Sequence, residues 1–311
     1  MNKEILYELS SPYRNNLIIK GYTFGHGSLT AAIVGPMRGN EVQQLYICSQ
    51  LIAALTALEK KGSIAKGNQI LVIPSINHFG MNIDRRLWPL DNSDINRKFP
   101  GSSEGDTTEQ IAAGILDKLK GCTYGIQLSS FYMPGDFIPH VRLINAGYSN
   151  SSLATLFGLK YVLVRNPKTF DTTTLNYNWQ IEKTQAFSVY TNQTDRVDEA
   201  SAQEAVTAIL RFLSRMGIIK YRTHSGYISS ILDEDHLISI KAPLSGIVRM
   251  KTCAGKEVSY KEVLAEIIHP YEGNVIGTIQ SPTTGAVFFV HNHPMVMENQ
   301  VIFKLIHRQH M

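Results

Sequence analysis

LTAAIVGPMRGNEVQQLYICSQLIAALTALEKKGSIAKGNQILVIPSIN, residues 29–77, reads as strand, helix, strand. The run 29–35 is apolar and closed by Gly35, as a buried strand of a covered sheet is. Leu45, Cys48, Leu51, Ile52, Leu55 and Leu58 then recur at helical spacing, and Gly62 suits the stop. QILVIPSIN (69–77) is a second apolar run, closed by Pro and Asn. Working outward, a helix is predicted from TEQIAAGILDKLKG, with Thr107 and Thr108 as caps. Strands are predicted at YGIQLSSF, YVLVRN (161–166) and AFSVYT (186–191), and a helix at 201–217. Strands alternating with helices predict an α/β fold: a mixed, mostly parallel sheet flanked by helices.

The composition changes near residue 224. Beyond it LISIKAPLSGIVRM (237–250) and VIGTIQSPTTGAVFFV (275–290) resemble each other, each with a small residue, Pro, two residues and Gly between β-branched runs. Two similar halves of a small β-barrel domain are expected. The expected division is 1–225 and 226–311, in line with 311 residues at roughly 150 per domain. A hydrophobic fraction of 43% and a charged fraction of 18% exclude disorder. The net charge of +4 is diffuse and gives no footprint for nucleic acid. No run of about eighteen apolar residues offers a membrane span, and the polar N-terminus does not read as a secretory signal. Three scattered cysteines read as reduced thiols of a cytoplasmic protein.

The long stretch 78–106 carries the densest polar group: Asp84, Arg85, Arg86, Asp91, Asp94, Asn96 and Arg97. Loops of that length inside a compact domain are usually functional. A guanidinium fork matches the two oxygens of a carboxylate, and a second arginine can stabilise an oxyanion. The plain alternative is a solvated loop tied by Asp–Arg pairs.

Asp94-Ile-Asn96-Arg97-Lys-Phe99-Pro100-Gly101 resembles the Asp-Leu-Asn-Arg-x-Phe-Pro-Gly motif of the succinylglutamate desuccinylase/aspartoacylase family, within the carboxypeptidase A-like zinc hydrolases. Arg86-Leu-Trp-Pro89-Leu-Asp91 is similar to the Arg-x-x-Pro-x-Asp that precedes it, and Arg38-Gly39-Asn40-Glu41 to the family's His-Gly-x-Glu. The resemblance implies a zinc-carboxypeptidase-like first domain and a C-terminal barrel that resembles a lipoyl domain. It implies that Arg86 stands at the oxyanion position and that Asn96 and Arg97 bind a carboxylate.

The chain departs from the family at the metal. Zinc needs three protein ligands and an open position. Glu41 is kept, but Arg38 replaces one His and Ser129 of Gln127-Leu128-Ser129 replaces the other. Tyr190 falls where the resemblance places a general-base Glu. Arg38 and Glu41 are expected to form a buried ion pair in place of the metal charge, with Arg38 adding to the anion site. No cofactor is expected, or zinc if the centre is rebuilt; Asp136 and His140 with Glu41 are the alternative ligands. His291-Asn-His293 reads as an exposed pair on one strand face, with metal binding as its alternative.

The leading expectation is a protein that binds a carboxylate-bearing acyl amino acid or peptide without zinc hydrolysis. The competing one is an amide or ester hydrolase with a relocated metal or with none. A third is a structural role in which the barrel mediates association. The expected partners are a small anionic substrate or a peptide with a free carboxylate, beside a second copy or an active partner subunit, and neither nucleic acid nor membrane.

Overall fold

The computed structural model describes residues 1–10 and 15–308. Two compact units are present: Met1–Ser130 with Pro139–Leu232, and Phe131–Ile138 with the chain from Asp233 onward. The division thus follows Leu232 rather than residue 225, and a short internal segment goes to the second unit.

The first unit is built on one mixed sheet. In spatial order its strands are β1 (Asn2–Leu9), β2 (Leu17–Gly25), β4 (Gly67–Ile73), β3 (Gly27–Val34), β5 (Tyr124–Ser129), β9 (Gln185–Tyr190), β7 (His140–Ile144), β8 (Tyr161–Arg165) and β10 (Ser230–Asp233). β4, β3, β5 and β9 run parallel, and so do β7 and β8. β1–β2, β2–β4 and β7–β9 are antiparallel. The strands of the centre are buried on both faces, which is why 29–35 and 69–73 read as unbroken apolar runs rather than alternating ones.

Helices cover both faces. On one, α1 (Val42–Lys60), the short α4 (Ser151–Thr155) and α6 (Glu199–Arg215) bury Leu51, Leu55, Ile209 and Phe212 against Ile33, Val72 and Ile126. On the other, α3 (Thr107–Leu119) and α5 (Leu175–Ile181) bury Ile111, Ile115 and Trp179 with Val34 and Ile73. Asp106, not Thr107 or Thr108, caps α3: its carboxylate accepts from the Glu109 amide, and Glu109 returns the bond in a capping box.

Stretch 78–106 is less irregular than its length suggests. It holds α2 (His78–Asn82) and a single 3-10 turn, Ile95–Arg97. Trp88, Ile95 and Phe99 anchor it in the same core as α3, and Trp88 stacks on Phe79 with ring centroids 5.5 Å apart. Apolar anchors on either side of Asp94, Asn96 and Arg97 fix the loop while leaving its polar side chains at the sheet end.

The second unit has two antiparallel sheets around one core of Leu264, Ile267, Val287, Ile302, Phe303 and Leu305. The first sheet holds β6 (Gly135–Phe137), β11 (Ile238–Lys241), β13 (Glu257–Val258), β16 (Gly285–His291) and β18 (Val301–His307). The second holds β12 (Gly246–Met250), β14 (Val263–Ile268), β15 (Val275–Gln280) and β17 (Met295–Val296). The two repeated turns at 242–246 and 281–285 have the same job, each passing the chain from one sheet to the other. β6 pairs with β16 at Phe137↔Phe289, and a side chain at Gly135 would meet the Phe289 ring and the Val290 carbonyl within 2.4 Å. His291 is buried rather than exposed.

Phe212 is the hub of an aromatic group with Phe157, Phe187 and Tyr124, at centroid distances of 4.2, 5.1 and 5.4 Å. Phe212→Ala should destabilise the first unit by about 3–5 kcal/mol, read as a lower denaturation midpoint.

Candidate functional site

In open sheets of this kind ligands bind beyond the carboxyl ends of the strands, where the strand order reverses. Here the chain goes from β3 outward to β4 in one direction, and β5 and β9 lie in the other. The segment leaving β3 brings Arg38 and Glu41, the one leaving β4 brings Arg86 to Arg97, and β5 ends at Ser129 and Ser130. Sequence neighbours of one motif and members of three distant segments therefore converge on one end of the sheet.

Gly39 makes the approach possible. A side chain there would lie 2.2 Å from the Arg85 carbonyl oxygen and from the Gly80 backbone. Without one, the Gly39 amide donates to the Arg86 carbonyl at 3.1 Å, which binds the two segments together.

Glu41 is buried and saturated. Its Oε2 accepts from the amides of Met37 and Arg38, both at 3.1 Å. Its Oε1 accepts from Arg38 Nη1 at 3.1 Å and from the Ser130 hydroxyl at 2.6 Å. The rest of the Arg38 guanidinium turns to Asp94: Nε and Nη2 donate to Oδ2 at 3.0 and 2.9 Å. Asp94 Oδ1 accepts from the Asn96 amide at 3.1 Å. Arg38 is thus the bridge from the end of β3 to the loop turn. Burial by itself lowers its pKa, but Glu41 and Asp94 outweigh burial and hold it above the ordinary value. The expected Arg38–Glu41 ion pair is present; Asp94 and Ser130 are partners that the spacing of the sequence did not identify.

The loop cations differ in how they are used. Arg97 donates to the Phe170 carbonyl at 2.6 Å, lies 5.0 Å from the Phe170 ring centre and is 3.9 Å from Asp171. Asp171 is fully buried and paired with Arg165. Asn96 spends its amide oxygen on the Leu175 amide at 3.2 Å, at the start of α5, and its NH2 group makes no hydrogen bond among the described residues. Arg86 makes no side-chain hydrogen bond or ion pair among the described residues. Burial first, and then the charge of Arg38, lower its pKa, and it remains a cation. Arg38 and Arg97 are thus paired with Glu41, Asp94 and Asp171, whereas Arg86 has no ion pair among the described residues.

Tyr190 stands in register with Ser129 on one side and His140 on the other, so the three share a row of the sheet. Its ring stacks on His140 at 4.9 Å and 9°, and the Arg142 guanidinium lies 5.6 Å from its centre. It occupies this row as an aromatic surface. Asp136 falls in the second unit and His140 in the first. Among the described residues no three His, Cys, Asp or Glu side chains gather as a metal set. His291 is engaged by Gln300 at 2.7 Å and by the backbone of His293.

Removing one member of a buried ion pair strands the other, at a cost of about 3–5 kcal/mol. Glu41→Leu and Arg38→Met should each destabilise the first unit by that order. The double variant should lose clearly less than the two together, a coupling read from a denaturation cycle.

Comparison with known proteins agrees with this fold. Residues 28–130 match the model of the succinylglutamate desuccinylase/aspartoacylase catalytic domain. The N-alpha-acetyl-L-2,4-diaminobutyric acid deacetylase of Halomonas elongata is 30% identical over 83 residues, 27% of this chain and 22% of the relative, so the chain matches well under two thirds of that protein's length. Solved structures resemble the chain over nearly all its length. The succinylglutamate desuccinylase/aspartoacylase of Rhodobacter sphaeroides gives a TM-score of 0.78 at 17% identity, covering 99% of this chain and 96% of that one. The product-bound ectoine utilization protein EutE (DoeB) of Ruegeria pomeroyi gives 0.79 at 16%, covering 98% and 94%. Residues 28–130 thus match the succinylglutamate desuccinylase/aspartoacylase catalytic-domain model, and the fold is shared with solved proteins of that description along nearly the whole chain.

Proposed function

We propose that this protein binds a carboxylate-bearing acyl amino acid or short peptide at Arg86, Asn96 and Arg97, without the zinc-dependent hydrolysis of its family. The observation that carries the reading is Arg86, a half-buried guanidinium with no hydrogen bond or ion pair of its own among the described residues, beside the paired Arg38. A half-buried guanidinium with no bonded carboxylate keeps its donors open to an anion that reaches it. The NH2 group of Asn96 adds a neutral donor, and Arg97, held by Phe170 and Asp171, adds a second guanidinium of fixed direction.

The donor set does not fit zinc. Both oxygens of Glu41 are engaged by four donors, a guanidinium stands at one His position and a serine hydroxyl at the other. An arginine cannot ligate a metal, and its charge opposes one. Tyr190 offers no carboxylate to take a proton from water. These residues bind and orient an anion, and no group among them is placed to activate water.

The test is thermal shift with N-acetyl-L-aspartate, N-succinyl-L-glutamate and the Nα-acetyl-L-2,4-diaminobutyric acid named for the Halomonas relative, on the parent and on Arg86→Gln. At least one probe should raise the parent Tm. Arg86→Gln should weaken that probe about tenfold or more, roughly 1.4 kcal/mol, and leave the ligand-free Tm nearly unchanged, since no bond is lost. Release of free amino acid from a probe, abolished by a chelator, would overturn the reading in favour of a rebuilt hydrolase.

A further inference from the structure

We propose that Arg38 is an internal substitute for a metal ion: its guanidinium is the cation that ties the loop bearing Arg86, Asn96 and Arg97 to the end of β3, which makes it a positioning residue for the anion site. The inference deepens the binding reading above and rests on it only for the identity of what the loop holds.

The argument is one of connectivity. A guanidinium has five N–H donors in a rigid fork and can serve two carboxylates at once. Arg38 does so, with one donor to Glu41 and two to Asp94. Glu41 belongs to the segment after β3, Asp94 to the segment after β4, and Ser130 ties Glu41 to the end of β5. Asp94 then fixes the 3-10 turn, accepting from the Asn96 amide through its side chain and from the Arg97 amide through its carbonyl at 2.8 Å. Among the described residues, the side-chain bonds that lead from Glu41 to Asp94 run through Arg38. Without it Glu41 and Asp94 would lose the cation bonded to both, and repulsion would loosen Asp94 and its turn. Metal ions join segments in the same manner, by drawing anionic side chains from separate loops to one centre. Arg38 does this through hydrogen bonds from a side chain of the protein itself and without an open coordination position.

The test reads the loop itself. Hydrogen exchange of peptides covering 85–101 is compared for the parent, Arg38→Ala and a double variant, Arg38→His with Ser129→His, which returns imidazoles to the two positions that the resemblance gives to His ligands. In Arg38→Ala the loop should exchange about tenfold faster or more, with α6 and β8 unchanged, and millimolar guanidinium should restore part of the protection. The double variant should take up Zn²⁺ close to one per chain and regain loop protection with it, whereas the parent should gain nothing from Zn²⁺. Loop protection in Arg38→Ala equal to the parent's would overturn the proposal. So would a folded double variant, judged by circular dichroism, that binds no Zn²⁺, or a parent that binds it equally well. Should Arg38→Ala fail to fold, Arg38→Lys provides the comparison: a point charge reaches one carboxylate, so the loop should loosen while the fold holds. If these results appear but no acyl amino acid binds the parent, the binding reading fails and the positioning role stands.

Discussion

The site depends on one guanidinium bonded to two carboxylates that come from different loops. Arg38 is buried, and so is Glu41, and a buried charge is tolerated only when paired and hydrogen-bonded. That constraint fixes much else. Glu41 must have its remaining oxygen lone pairs met, which the Met37 and Arg38 amides and Ser130 do. Asp94 must stay within reach, which the apolar anchors Trp88, Ile95 and Phe99 ensure. Gly39 must lack a side chain so that the two loops can touch. The net worth of such a pair to stability is small once desolvation is counted. What it supplies is position: it leaves the loop one arrangement in which all its charges are met.

The elements of the first unit were legible because their signals are local. A covered strand is an apolar run of a few residues, and a helix repeats every three to four, so 29–77 declared its form within its own length. The loop motif at 94–101 was legible for the same reason. The bonds that make a site of it were not. Glu41 meets Ser130 across 89 residues, Asn96 meets Leu175 across 79, and Arg97 meets Phe170 across 73. Only charge and polarity mark such partners in a sequence, and many surface residues carry both. Arg38 with Glu41 could be anticipated because they are three residues apart. Asp171, wholly buried beneath Arg97 and Arg165, gave no local sign, and neither did β6, a three-residue strand that joins a sheet made of chain far downstream.

Under the proposed reading, an arginine in place of a zinc ion changes what a site of this shape can do. A metal with an open position polarises a carbonyl and lowers the pKa of bound water. A guanidinium already bonded to two carboxylates has little charge left to project and no vacancy for water. Catalysis of the family's kind needs both a Lewis acid and a base, and here the base position holds a tyrosine stacked on His140. Anion recognition needs neither. It needs donors left without other work, and in the proposed reading those are Arg86 and the NH2 group of Asn96.

Arg38 and Arg86 are connected by competition for the same carboxylates. Both feel the charges of Glu41 and Asp94, yet only Arg38 is bonded to them. Asp94 has one oxygen filled by Arg38 and the other by the Asn96 amide, and Glu41 has both filled. Arg86 makes no bond to either carboxylate among the described residues. Arg38 thus takes up the carboxylates of its own site and leaves Arg86 unbonded among the described residues, which is the state that the proposed carboxylate ligand would meet.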